Sequence, residues 1–255
     1  EVSDASSELF WGKHHSCVTM IVIVGAGMGG LVTAAVLCKL FGRKVCVLEK
    51  HTQLGGCLHT FTERGYEFDV GLHYIGGIHT SFGRFLSSLC NVEWRKLDGP
   101  HDVLVLPDET MIPFGDKTSQ KETFSRLISP DFVERYFGLV ERCQRSMRAY
   151  YVGCIFLHPR LLDVWCALFC TVAVRMMETC THDVLSELGA DEASICICAY
   201  HWGNFGETPR NLSFASHAML VAHWWDGNFF PVGGTRAIVQ GLRGTIRRNG
   251  GKIRL

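Results

Sequence analysis

Apolar residues cluster first between Val18 and Val24, then after a glycine-rich break between Gly30 and Phe41, and again from Lys44 to Glu49. The first and third runs are short and β-branched and predict buried strands, while the middle run has the length of a helix. Together they predict a βαβ opening. Up to Gly77 the chain is looser and rich in glycine, and no element is assigned there. Alternation over Asp102–Leu106 and Met111–Phe114, around Pro107-Asp108-Glu109-Thr110, predicts a hairpin. From Lys121 to about Trp225 the period becomes helical, with start signals at Ser129-Pro130, Thr181 and Ser213. Gly233-Gly234 precedes a last helix reaching about Arg248, and Lys252–Leu255 opens a strand.

This order predicts an α/β protein: a Rossmann-like FAD/NAD(P)-binding domain with a largely helical substrate-domain insertion. The expected division is a βαβ unit with its glycine-rich continuation over 18–100, the helical insertion over 101–230, and a return to the dinucleotide-binding domain over 231–255. Ending on an opening strand suggests a truncated chain that lacks the C-terminal part of the fold.

Composition narrows the function classes. Lys and Arg total 25 against 25 for Asp and Glu, so no net field favours nucleic acid. Twelve cysteines are scattered along 255 residues, and the close pairs Cys166/Cys170 and Cys196/Cys198 lack C-x-x-C spacing. Reduced, buried thiols are expected, and no metal site is read from the sequence. The first seventeen residues carry no charged-then-apolar leader. The longest apolar run, Val164 to Val174, is too short to span about 30 Å of hydrocarbon, but suits a shallow contact with one leaflet or a greasy pocket lining.

The chemistry-bearing motif is VIVGAGMGGL, which sets Gly25, Gly27 and Gly30 in G-x-G-x-x-G spacing between strand and helix. The first glycine permits the turn, the second admits a pyrophosphate to the backbone, and the third lets the helix approach the strand. The free N–H groups and positive dipole end of the helix suit a diphosphate. Glu49 ends the second strand 24 residues after Gly25, where a carboxylate accepts from ribose hydroxyls and repels a 2′-phosphate. Gly55 and Gly56 follow at once and leave room for a bulky dinucleotide, which tilts the cofactor towards FAD, with NAD as the alternative.

VIVGAGMGGLVTAAVL, VLEKHTQLGGCLHTF and YEFDVGLHYIGG resemble the successive motifs of the retinol saturase group, within the FAD-dependent amine-oxidase-like superfamily. Phe214–Leu220, the FFPVGGTR segment and GGKIRL extend the resemblance late in the chain. It implies a flavin-dependent oxidoreductase acting on CH–CH groups and saturating a double bond of a retinoid. Its dinucleotide contacts would fall on Gly25, Ala26, Gly27, Met28, Gly29, Gly30, Glu49, Gly55 and Gly56. It also implies a small apolar polyene substrate, peripheral membrane association and an endoplasmic reticulum location. Alternatives on the same motifs are a carotenoid isomerase or desaturase, an NAD-dependent oxidoreductase, and a non-enzymatic retinoid-binding remnant.

No catalytic residue is assigned, and the oligomeric state is not read. His73 and Tyr74 offer candidate acids, though a structural His or Tyr is the commoner case. Trp165, Phe169, Met176 and Met177 suit polyene contact or simple core. His201-Trp202 and His223-Trp224-Trp225 suit ligand stacking or packed helix ends. Asn211-Leu212-Ser213 is a glycosylation sequon.

Overall fold

The computed structural model describes residues 19–72 and 74–255, so Val18, His73 and the polar first seventeen residues lie outside the described residues. In chain order the elements are β1 (Ile21–Val24), α1 (Met28–Lys39), β2 (Val45–Leu48), β3 (Thr60–Glu63), β4 (Tyr66–Asp69), α2 (Ser81–Cys90), β5 (Trp94–Lys96), β6 (Asp102–Val105), β7 (Met111–Phe114), α3 (Lys117–Leu127), α4 (Pro130–Phe156), α5 (Pro159–Phe169), α6 (Thr171–Glu178), α7 (Thr181–Glu187), α8 (Glu192–Cys198), α9 (Phe214–His223), β8 (Phe229–Pro231), α10 (Thr235–Arg248) and β9 (Lys252–Arg254). They form two compact units, one of residues up to Leu72 with Phe85–Glu93 and Pro231–Leu255, the other of His73–Arg84 and Trp94–Phe230.

The first unit is built on a parallel sheet of order β1-β2-β9, with Ile21 opposite Val45 and Cys46 opposite Lys252. Parallel neighbours need crossovers, which α1 supplies between β1 and β2. Helix α1 is apolar nearly throughout and buries Leu31, Ala34, Ala35 and Cys38. It packs on α10, which buries Ile238, Val239, Leu242 and Ile246 along one stripe while Arg236 and Arg247 stay in water. The central strand β2 is buried at Val45, Cys46 and Val47, as its sequence predicts. The first strand is not: Val22 and Val24 are 54% and 86% exposed, so only alternate residues face α1. The reason is topological, because β1 pairs on one side only, as an edge strand among the described residues, while β2 has a neighbour on each side.

The stretch read as loose contains the hairpin β3–β4, joined by Arg64 and Gly65, both at positive φ (52° and 85°). That is a two-residue turn of the primed kind, whose twist suits a hairpin.

The second unit is mainly helical around one core. Ser129 caps α4, its hydroxyl accepting from the Phe132 N–H at 3.2 Å with Pro130 in the first turn, and Ser213 caps α9 the same way through Ser216. Both start signals hold. Helix α7 likewise starts at Thr181, though without a side-chain cap, since the Thr181 hydroxyl donates to the Leu212 carbonyl. The helical region begins earlier than Lys121, because Asp116 accepts from the N–H groups of Thr118 and Ser119 and starts α3. Phe124, Phe132, Tyr136, Phe137, Val140 and Phe214 form the packed centre, and the β6–β7 hairpin contributes Ile112 and Phe114. The apolar run Val164–Val174 breaks at Cys170 into α5 and α6, and no helix among the described residues is long and apolar enough to cross a membrane. Six cysteines are buried, but Cys57, Cys154 and Cys196 are exposed, and all the described ones are free thiols.

Candidate functional site

The β1–α1 turn follows the glycine logic of its sequence. Gly25 (φ 98°) turns the chain out of β1 while its N–H donates to the Leu48 carbonyl at 2.7 Å. A Cβ on Gly30 would lie 2.0 Å from the Gly25 carbonyl oxygen, so only glycine lets α1 start this close to the strand. Gly27 is the cap residue, in extended geometry and without a side chain, and it leaves the N–H groups of the first turn, on Met28, Gly29 and Gly30, facing outwards. Among the described residues, apart from chain neighbours and the helix's own backbone, no atom lies within 4 Å of the Cβ positions of Gly25, Gly27 and Gly29, so this face of the turn is open.

Gly55 and Gly56 close against the same turn. The Gly55 N–H donates to the Ala26 carbonyl at 2.8 Å, in a short parallel bridge between Gly27 and Gly55. Both glycines have positive φ (116° and 57°), and a Cβ on Gly56 would sit 3.1 Å from the Gly27 Cα. A side chain there would fill the space over the turn.

Glu49 lies just beyond β2. One carboxylate oxygen accepts from the Ala26 N–H at 2.6 Å and the other from the His51 N–H at 2.8 Å. The His51 and then the Ala26 N–H hold the carboxyl below the ordinary glutamate range, so it is an anion at neutral pH. A carboxylate offers about four acceptor sites. Two remain for hydroxyl donors. The nine residues expected to touch a dinucleotide therefore occupy the turn, the β2 end and the glycine bridge of one unit.

Sequence reasoning missed what seats α10. Asp69, at the end of β4, accepts from the Thr235 N–H at 3.3 Å and from the Thr235 hydroxyl, which also donates to the Leu58 carbonyl at 2.9 Å. An acid from the YEFD segment thus caps the helix that opens with GGTR. The paired signal is visible only as two separate motifs. Beside it, a cavity of about 300 Å³ lies between Thr52–Thr60 and α10, lined by His59, Arg236, Arg243 and Arg247.

The second unit holds a largely buried polar cluster, in which His201 is buried and Asp102 and Tyr74 half-buried. The Tyr74 hydroxyl donates to Asp102 at 2.8 Å, and His101 and His201 flank the same carboxylate. Burial, with the Asp102 bond second, pushes the Tyr74 hydroxyl upward, so it stays protonated. Burial pulls His201 down to about 3 and lowers His101 as well. Tyr200 and Trp224 complete a ring of aromatic edges around the pair.

The other candidates separate. Met176 is core; Trp165 packs on that core and donates to the Ala149 carbonyl; Met177 packs there too, while Phe169 is exposed. His223 accepts from the Gly76 N–H at 2.9 Å, Trp225 stacks on Phe137, and Trp202 is exposed. Asn211 is exposed and donates to Glu207.

Fold and turn together define the class: a Rossmann-like α/β protein carrying a helical unit. Residues 23–89 match the family model described as an NAD(P)-binding Rossmann-like domain. An oxidoreductase from Methanosarcina mazei has the same fold, with a TM-score of 0.61 at 18% identity over 92% of this chain and 50% of that one. In sequence the chain is similar to the all-trans-retinol 13,14-reductases. The human protein of that name is 34% identical over 250 residues, 91% of this chain and 40% of its own length. A Danio rerio relative named inactive all-trans-retinol 13,14-reductase is 27% identical over the same share of both. The resemblance read from the motifs thus extends across nearly the whole chain, which spans about 40% of the length of the curated relatives it matches.

Proposed function

We propose that the protein containing this chain is an FAD-dependent oxidoreductase that saturates a double bond of a retinoid, in the manner of an all-trans-retinol 13,14-reductase. The observation that carries the dinucleotide part is the pairing of an open, uncapped α1 N-terminus with the anionic Glu49 across the glycine bridge. Kinship over 91% of the chain supports the retinoid part. The N–H groups of Met28, Gly29 and Gly30 would hold the diphosphate, Glu49 the ribose hydroxyls, and Gly55 and Gly56 the space the cofactor needs. When bound and reduced, the flavin would supply a hydride to one alkene carbon, a proton from an acid or water completing the saturation at its neighbour. The chain's own contribution is binding, orientation and exclusion of a 2′-phosphate by the Glu49 charge.

Membrane association and an endoplasmic reticulum location belong to the same reading. Tyr151, Val152, Ile155 and Phe156 at the end of α4 and Leu161, Val164, Leu168 and Phe169 on α5 are all exposed, Ile155 and Phe156 at 71% and 78%. Such a concentration of exposed apolar side chains within nineteen residues suits the acyl boundary of a bilayer, where a water-insoluble polyene dissolves.

The test is the visible spectrum and product profile of the purified full-length protein. Flavin bands between 350 and 500 nm, lost in Glu49→Arg, together with a dihydroretinoid from all-trans-retinol, are the expected result. A colourless protein that FAD cannot reconstitute would sink the flavin reading and favour NAD. Flavin without retinol reduction would favour a carotenoid desaturase or a non-enzymatic remnant, the latter in keeping with the inactive relative.

A further inference from the structure

The cluster around Asp102 lies apart in sequence from the dinucleotide motifs and gathers three side chains able to ligate a metal, with Asn204 Nδ2 3.3 Å from His201 Nδ1 as a neighbour that an ion would displace. His101, Asp102 and His201 each offer one ligand atom, and these atoms lie within 4.8 Å of one another. His101 Nε2 is 3.8 Å and His201 Nδ1 is 3.6 Å from Asp102 Oδ2, too far to hydrogen-bond. Two ligands about 2.1 Å from a tetrahedral ion lie about 3.4 Å apart, so both pairs need to close by only a few tenths of an ångström. The imidazole planes of the two histidines are parallel within 1° at 6.3 Å between centroids.

A second observation is independent of these distances. His101 Nε2 is buried and finds no hydrogen-bond partner among the described residues. A buried nitrogen lone pair without a donor costs free energy, and coordination satisfies it. The Tyr74 hydroxyl that donates to Asp102 is the outer partner a ligating carboxylate characteristically has.

We propose that His101, Asp102 and His201 bind a borderline divalent transition-metal ion of the zinc class. Two imidazoles and one carboxylate select such an ion over calcium or magnesium, which prefer all-oxygen shells. Three protein ligands leave a position for water or another ligand. The site joins the start of β6 to the turn after α8, and it stands or falls independently of flavin binding.

The experiment uses untagged full-length protein, stripped with chelator, with zinc and cobalt(II) as probes. Calorimetry is expected to give one tight equivalent of zinc, and cobalt(II) to give visible bands of a four- or five-coordinate ion. Asp102→Asn and His201→Gln should abolish both, while His182→Ala, at a surface histidine beside Asp183 and Glu192, should change neither. Should the ligand variants fail to fold, Tyr74→Phe leaves all three ligands in place and is expected to weaken zinc about 10- to 100-fold. Absence of a stoichiometric site in the parent protein overturns the proposal. So does zinc binding unchanged in Asp102→Asn, His201→Gln and Tyr74→Phe.

Discussion

Acidification should unfold the helical unit through one histidine whose contribution can be worked out. His217 on α9 is buried, and its Nε2 lies 2.8 Å from the Tyr136 hydroxyl of α4, where the neutral ring accepts. Burial lowers its pKa from 6.5 to about 4. The unfolded chain takes up this proton below 6.5 and the folded chain only below about 4, so between those values the unfolded state holds more protons. Stability from this group is therefore complete above 6.5 and lost as the pH falls towards 4. Integrating the linkage gives about 2 kcal/mol lost between pH 7 and pH 5, and about 3 kcal/mol in all. His217→Gln removes the titration while keeping an acceptor for Tyr136. Urea unfolding, followed by tryptophan fluorescence at pH 7 and pH 5, is the assay. Relative to the variant, the parent midpoint should fall by about 1 M more, taking an m-value of about 2 kcal/mol/M. Equal losses in the two proteins would refute the reasoning.

The other expectations are shorter. Gly30→Ala puts a methyl 2.0 Å from the Gly25 carbonyl, so it should cost about 1–3 kcal/mol and abolish FAD binding, read by urea unfolding and by flavin retention on desalting. Normal flavin retention would mean that α1 need not sit so close to β1. Ile155→Ser with Phe156→Ser should cut flotation with phosphatidylcholine/phosphatidylserine vesicles several-fold without moving the thermal midpoint, because both side chains are already exposed. Unchanged flotation would place any membrane contact elsewhere. Loss of flavin in Glu49→Arg and of zinc in Asp102→Asn are the remaining two.

The candidate dinucleotide site was largely legible in the chain because its determinants are local. Gly25, Gly27 and Gly30 act within one turn, and Glu49 follows a strand whose apolar run is unmistakable. The caps at Ser129 and Ser213 are local too, and hold. At Thr181 a helix does start, but the hydroxyl caps nothing because it finds another acceptor, the Leu212 carbonyl, 31 residues away. The β3–β4 hairpin was missed since its only mark is Arg64-Gly65, a weaker turn pair than Asn-Gly.

What the sequence by itself determined, then, is the βαβ unit, the glycine turn with its acid, the resemblance, and the helical character of the middle. Tertiary structure alone decided the rest. Exposure of one face of β1 depends on which strands pair beside it, and the seating of α10 depends on Asp69, 166 residues before Thr235. The assembly of His101 and Asp102 with His201, and of Tyr136 with His217, likewise joins residues with no shared local pattern. Periodicity reports which face of an element is apolar, but which polar groups meet inside is fixed only when the packing brings distant segments together.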